Sequence, residues 1–319
     1  MNGVILDANS LGEDEVDLSP VTDLLDEWQV YGTSTPEETV ERVRDATVVL
    51  SNKILLGTEA FYAARELRLI SVMATGTNNI NLDAARAANI TVCNAVAYAT
   101  PSVVQHTISL MLALATNLPS YIRDVKAGAW QKAPTFCLLD HPISELSGKT
   151  LGIVGFGELG SAVASVAKSF GMKILIAQKT ENEDPRPNRA PFDEVIGEAD
   201  YLSLHCPLTP KTENLINLSS LSKMKPSAFL INTARGGLVN ASDLLQALSS
   251  KLIAGAAVDV LETEPPPEHD LLTNTSLDNL IVTPHNAWGA LESRQRLVQQ
   301  MADNIQAFLS GKPVRIVSS

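Results

Sequence analysis

At 319 residues the chain is long enough for about two domains of ordinary size. Its 45% apolar and 19% charged residues describe an ordinary globular protein. The net charge of −12 leaves no basic stripe to release counterions from a nucleic acid or to dock on an anionic membrane, so neither is expected as a partner. Cys93, Cys137 and Cys206 are an odd set without Cys-x-x-Cys spacing. That argues against a metal site or a disulfide framework and for a reducing compartment, the cytoplasm. Met1-Asn-Gly-Val-Ile-Leu-Asp has no basic flank and reads as a first strand, not a signal peptide.

In chain order, Val4 to Leu6, Thr47 to Leu50, Leu69 to Met73 and Thr91 to Cys93 are short, β-branched apolar runs that predict strands. Pro36 to Asp45 and Leu82 to Ala88 between them predict helices, so the first domain is expected to be a parallel sheet flanked by helices. Thr100 and Pro101 then suit a cap and a first helical position, and predict the longest helix of the chain, running to Lys126. Its residues are apolar on most sides, which predicts burial between domains or subunits. The segment Gly128 to Ser147, with Trp130, Pro134, Phe136 and Pro142, has no period and predicts a packed loop that could reach a neighbouring subunit.

Six further runs predict a second parallel sheet: Thr150–Val154, Lys173–Ile176, Tyr201–Leu204, Ala228–Asn232, Ala254–Val258 and Leu280–Val282. A final helix, about Leu291 to Leu309, is expected to return to the first domain. The fold class is therefore α/β, with two doubly wound parallel-sheet, Rossmann-like domains and a cleft between them. The boundaries fall at 1–99 with 290–319 for a discontinuous substrate domain, and 100–289 for a dinucleotide-binding domain.

Gly155-Phe-Gly157-Glu158-Leu159-Gly160 follows one of these strands and opens a helix, the setting that the dinucleotide fingerprint requires. Gly155 permits the tight turn, Gly157 the approach of a pyrophosphate, and Gly160 close packing of helix on strand. At the end of the next strand an acid would receive the ribose hydroxyls of NAD. This chain has Gln178 there, followed by Lys179, with Arg186 and Arg189 in the next loop. An amide still hydrogen-bonds a ribose but no longer repels a 2′-phosphate, so NAD is expected with NADP left open.

Three charged residues each follow a strand: Arg235, Glu264 and His285. Together they meet the demands of hydride transfer at a 2-keto acid. A planar fork holds carboxylate and carbonyl, an imidazole gives a proton, and a carboxylate keeps that imidazole charged. Lys53, after Val48-Val-Leu-Ser-Asn, could help to attract an anionic substrate. His106 reads as a hydrogen-bonded core residue, His141 and His269 carry no constellation, and Cys206 has no adjacent base in sequence.

The ordered motifs Gly-Phe-Gly-Glu-Leu-Gly, His205-Cys-Pro-Leu-Thr, Asn232-Thr-Ala-Arg-Gly-Gly, Ala257-Val-Asp-Val, Glu262-Thr-Glu-Pro and Thr283-Pro-His resemble those of the D-isomer-specific 2-hydroxyacid dehydrogenase family over essentially the whole chain. Thr75-Gly76, the segment Ala97 to Thr100, and Phe136-Cys137 are most similar to its glycerate dehydrogenases, or hydroxypyruvate reductases. The resemblance implies Arg235 as substrate clamp, His285 as proton donor and Glu264 as its partner. It implies Thr233 and Ala234 at the nicotinamide, Asp259 at its carboxamide, and His205, Cys206, Pro207 and Thr212 beside the adenosine. It also implies the backbone N–H groups of Thr75 and Gly76 at the substrate carboxylate. The expected partner is a small 2-keto or 2-hydroxy acid, in a symmetric homodimer. Two alternatives stay open: a phosphite or phosphorylated-hydroxyacid dehydrogenase on the same scaffold, and a non-enzymatic NAD(H)-sensing protein like the co-repressors that share the fold.

Overall fold

The computed structural model describes residues 1–12, 15–178 and 187–317. They fall into two compact units, 1–99 with 288–319, and 100–287.

The first unit is built on a five-stranded parallel sheet. Its strands are β1 (Asn2–Ile5), β2 (Glu27–Val30), β3 (Val48–Ser51), β4 (Leu69–Val72) and β5 (Thr91–Cys93), in the order β2-β1-β3-β4-β5. All residues of β3 and β4 are buried, as expected for strands covered on both faces. The short helices α1 (Ser19–Thr22), α2 (Pro36–Arg42), α3 (Thr58–Ala63) and α4 (Leu82–Ala87) lie between them. Thr35 and Glu38 form a reciprocal capping box that starts α2. Strand β2 has no counterpart among the predicted elements. It pairs only with β1, at the sheet edge, and its Glu-Trp-Gln-Val is mostly exposed, so it carries no apolar run to find.

The second unit holds a six-stranded parallel sheet of β6 (Thr150–Val154), β7 (Lys173–Ile176), β8 (Tyr201–Leu204), β9 (Phe229–Asn232), β10 (Gly255–Val258) and β11 (Leu280–Val282). The order is β11-β10-β9-β8-β6-β7. The chain reverses direction across the sheet on either side of β6. That makes the end of β6 the topological switch point, where doubly wound sheets receive ligands.

The single helix predicted over 100–126 is two helices, α5 (Thr100–Thr116) and α6 (Leu118–Lys126). Asn117 takes a left-handed conformation, φ 48°. Pro119 has no N–H to give to the Ala115 carbonyl, and that carbonyl accepts the Ser144 N–H instead, at 2.8 Å. One face of α5, including Val104, Ile108, Met111 and Leu114, is buried in the core of the second unit beside Leu151, Ile153, Val163 and Ile231. Within the chain, the segment after α6 is only lightly covered. Apart from a short 3₁₀ turn at Trp130–Lys132 it is irregular, and Phe136 and Leu139 are 89% and 75% exposed.

The remaining helices of this unit are α7 (Glu158–Ser169), α8 (Phe192–Glu198), α9 (Leu218–Leu221) and α10 (Ala241–Ser249). The last helix, α11 (Leu291–Leu309), is the longest among the described residues and belongs to the first unit. Its buried Leu297, Val298, Met301 and Ile305 recur at helical spacing and join the core of Ile5, Val48, Leu69 and Met73. No helix among the described residues is long and apolar enough to cross a membrane.

Candidate active site

The Gly-rich turn sits where β6 ends. Gly155 has φ 93°, and a Cβ there would lie 2.5 Å from the Cys206 nitrogen. At Gly160 a Cβ would meet the Gly155 carbonyl at 2.1 Å, so α7 can approach β6 only through a glycine. Gly157 caps α7, and a Cβ added to it would meet nothing within 4 Å. A turn with its glycine open to space, leading into a twelve-residue helix, suits a pyrophosphate approaching the helix N-terminus. Glu158 lies in the first turn of α7 and accepts a hydrogen bond from the Thr100 hydroxyl. Leu159 follows it in the same turn.

Gln178 ends the run after β7, with its N–H on the Ala190 carbonyl at 2.9 Å. Arg189 reaches the Ala177 carbonyl at 3.5 Å, and its guanidinium lies 6.0 Å from the Phe156 ring centroid. A cation is thus held beside the strand end where the chain lacks an acid. Lys179 and Arg186 lie outside the described residues.

After β8, the His205 N–H donates to the Val154 carbonyl at 2.7 Å, and its backbone lies against Gly155. The His205 Nε2 meets the Ser203 hydroxyl at 2.9 Å, while Nδ1 is buried with no hydrogen-bond partner among the described residues. Burial pushes this imidazole down to about 4. Burial also pushes the Cys206 thiol up, which keeps it protonated and unsuited to attack. Thr212 Oγ1 donates to the Pro207 carbonyl at 2.8 Å and so shapes the loop that follows.

His205 carries a stability prediction. The unfolded imidazole takes up its proton at about 6.5, the folded one only at about 4. The unfolded state therefore binds more protons in that window, and stability is present above pH 6.5 and lost as pH falls towards 4. The loss reaches up to about 3 kcal/mol for such a shift. In denaturant titrations from pH 7 to 4, His205→Gln should give a flatter curve than the native chain. Parallel curves would disprove the assignment.

The three charged residues follow β9, β10 and β11, adjacent parallel strands, so they gather along one end of the sheet. Asn232, fully buried at the end of β9, folds the first of these turns. Its Oδ1 accepts from the Ala234 N–H at 3.1 Å, and its Nδ2 donates to the Arg235 carbonyl at 2.9 Å. Arg235 is exposed, with Nη1 on the Ala234 carbonyl at 2.7 Å. Next to it, a Cβ on Gly236 would lie 2.0 Å from the Leu261 carbonyl carbon. This contact presses the Arg235 turn against the one bearing Glu264. Glu264 is held at both oxygens: Oε1 accepts the Leu261 N–H at 2.9 Å, and Oε2 meets His285 Nδ1 at 2.5 Å. With Nδ1 committed, proton exchange with a bound molecule falls to His285 Nε2.

Behind His285 lies Asp259, only 1% exposed. Burial alone would raise this carboxyl, but hydrogen bonds from His106, Thr283 and the Ala287 N–H bring it below its ordinary value. It is therefore a carboxylate facing inward. Thr233 is also buried, its hydroxyl 3.1 Å from that of Thr107 on α5. Asn232, Thr107 and Thr283 escaped the sequence reading because a lone polar residue next to an apolar run has no pattern of its own. His141, expected to stand alone, meets Asp124 at 2.6 Å, a bond that holds the Asp124 carboxyl below its ordinary range.

Lys53, Thr75 and Gly76 belong to the first unit, each in a loop after a strand of that sheet. The Lys53 N–H donates to buried Asp7 at 2.7 Å, and the Thr75 carbonyl accepts from Asn94 at 2.8 Å. Burial raises the Asp7 carboxyl despite the backbone N–H groups on it.

The family described as "D-isomer specific 2-hydroxyacid dehydrogenase, NAD binding domain" matches residues 108–287. The chain is 42% identical to a glycerate dehydrogenase of Methylorubrum extorquens, over 92% of each protein. It is 35% identical to a hydroxypyruvate reductase of Blautia hydrogenotrophica over the full length of both. Among solved structures, a Thermus thermophilus protein superposes with a TM-score of 0.86 at 30% identity, over 99% of this chain and all of that one.

Proposed function

This chain belongs to the D-isomer specific 2-hydroxyacid dehydrogenase family, and on that premise we propose that its main reaction is the reduction of hydroxypyruvate and glyoxylate. It is an NAD-dependent oxidoreductase acting on the CH–OH group of a 2-hydroxy acid. The observation that carries the proposed chemistry is the 2.5 Å contact between Glu264 and His285 Nδ1, on the strand ends beside Arg235.

In this reading the Arg235 fork engages the substrate carboxylate and carbonyl oxygens together, polarising the carbonyl. His285 Nε2 gives its proton to the carbonyl oxygen as negative charge develops there, and Glu264 stabilises the imidazolium that exists before the transfer. The neutral imidazole left behind is the base that the reverse direction needs. A nicotinamide dinucleotide held by its pyrophosphate at the Gly-rich turn would supply or accept the hydride. Gly155, Gly157, Glu158, Leu159 and Gly160 would hold its pyrophosphate side. Gln178, His205, Cys206, Pro207 and Thr212 would border the adenosine, and Thr233 and Ala234 the ring. Asp259 Oδ1 already receives Thr283 and Asn286, so only Oδ2, which carries the Ala287 N–H, has capacity for a carboxamide. In the first unit the reading gives Lys53 and the N–H groups of Thr75 and Gly76 to the substrate anion.

The discriminating experiment is a panel of glyoxylate, hydroxypyruvate, pyruvate and 2-ketogluconate, each with NADH and NADPH. Hydroxypyruvate or glyoxylate should give the highest kcat/KM. A clear preference for pyruvate or 2-ketogluconate would overturn the substrate assignment. Because Gln178 repels no phosphate and Arg189 stands nearby, NADPH should be accepted within roughly tenfold of NADH.

The reading extends to a cytoplasmic homodimer. Leu118, Ile122, Val125, Trp130, Phe136 and Leu139 are all exposed, within and just after α6. An apolar surface of that extent is the kind a second copy covers. A monomeric mass in solution at micromolar concentration would defeat this.

A further inference from the structure

The backbone of His285 is left-handed, φ 52°, a conformation that a residue with a side chain holds only when its surroundings impose it. What imposes it is visible on both flanks. Thr283 Oγ1 donates to Asp259 Oδ1 at 2.5 Å. On the other side the N–H groups of Asn286 and Ala287 donate to Oδ1 and Oδ2 at 3.1 and 3.0 Å. One buried carboxylate therefore grips the turn before and after His285.

The grip is tied in turn to α5. His106 Nε2 lies 3.0 Å from Thr283 Oγ1 and 3.4 Å from Asp259 Oδ1. The Thr283 proton is spent on the carboxylate, so its oxygen accepts from His106, which places a proton on Nε2. One helical turn earlier, the Ser102 hydroxyl donates to the Ala287 carbonyl at 2.6 Å. Two polar side chains of α5 thus meet the segment carrying His285.

We propose that Thr283 and His106 are positioning residues for His285, forming a relay from imidazole to hydroxyl to the Asp259 carboxylate that holds the His285 turn in its left-handed conformation. The proposal rests on the reading of His285 as proton donor. The relay engages Asp259 through Oδ1 and leaves to a carboxamide the Oδ2 assigned to it, so its effect falls on the transfer from Nε2, where a displacement of about 1 Å costs up to roughly 10²-fold in rate.

The test compares Thr283→Val, which keeps the shape and removes the hydroxyl, with Thr283→Ser, which keeps the hydroxyl. Both are also combined with His285→Ala. With hydroxypyruvate and NADH, Thr283→Val should lower kcat about tenfold or more, with KM and the NADH Kd each within about twofold of the native values. Thr283→Ser should recover kcat to within about threefold. In the His285→Ala background the Val substitution should cost almost nothing further, because it acts only through His285. Native-like kcat in Thr283→Val, no recovery with Ser, or a full additional loss in the double variant would each overturn the relay. Intact reduction by His285→Ala alone would instead sink the proton-donor reading, and the relay with it. Should Thr283→Val not fold, His106→Leu against His106→Gln applies the same test from the other end.

Discussion

His285→Ala should lower the kcat of keto-acid reduction by ~10²-fold or more, the usual contribution of a positioned acid or base, while KM and cofactor binding change little. The reason is geometric. Nδ1 is held by Glu264 at 2.5 Å, and Glu264 is itself fixed by the Leu261 N–H at 2.9 Å, so the imidazole presents one nitrogen in one orientation. Glu264→Gln tests the electrostatic half of the same pair. Glutamine keeps an oxygen for the Leu261 N–H but removes the negative charge that favours imidazolium. The kcat of reduction should therefore fall about tenfold or more, with KM little changed. Stopped-flow single-turnover rates would check both variants. A rate for Glu264→Gln equal to the native one would show that the pair does not govern the proton.

Arg235→Gln should be at least as damaging, and differently so. Two charge-assisted hydrogen bonds at about 1.5–3 kcal/mol each amount to a loss of roughly 10²- to 10⁴-fold in kcat/KM. Both parameters should suffer, since the carboxylate is bound in the ground state and the carbonyl most strongly in the transition state. Arg235→Lys keeps the charge but not the fork, and should recover only part of the loss. Because Arg235 is exposed, thermal stability should stay close to native in both variants. If Arg235→Gln kept kcat/KM within threefold of native, the clamp would have to lie elsewhere.

How far the fold was legible depended on burial. The six strands of the second unit and α11 lie within one residue of the predicted runs, because all six strands are short runs of mainly apolar residues, the inner four largely buried, and α11 repeats its apolar face at helical spacing. Strand β2 was illegible for the opposite reason: an exposed edge strand need not be apolar. The break between α5 and α6 was written in Pro119, but a long apolar pattern outweighed it. The carbonyl that a proline leaves without its helical donor needs another, and here that donor is Ser144, distant in sequence. Arg235, Glu264 and His285 stood out as charges following apolar strands. Of their supports, Asn232 and Thr283 did not, while Asp259 was expected only at a carboxamide and His106 only as a hydrogen-bonded core residue, since what each supports is defined by what it touches.

From residue order alone came the chemistry proposed for this protein: a glycine turn between strand and helix, and a fork, a carboxylate and an imidazole after successive strands. These are local signals, carried by a few residues and their neighbours in the chain. The tertiary structure alone decided which nitrogen of His285 is committed, which carboxylate grips its turn, and that a half-buried histidine of α5 ends on that grip. Those facts depend on contacts between residues 21 to 28 positions apart, such as Glu264 with His285 and Asp259 with Ala287, or 177 apart, as with His106 and Thr283, and only folding brings such groups within hydrogen-bonding distance.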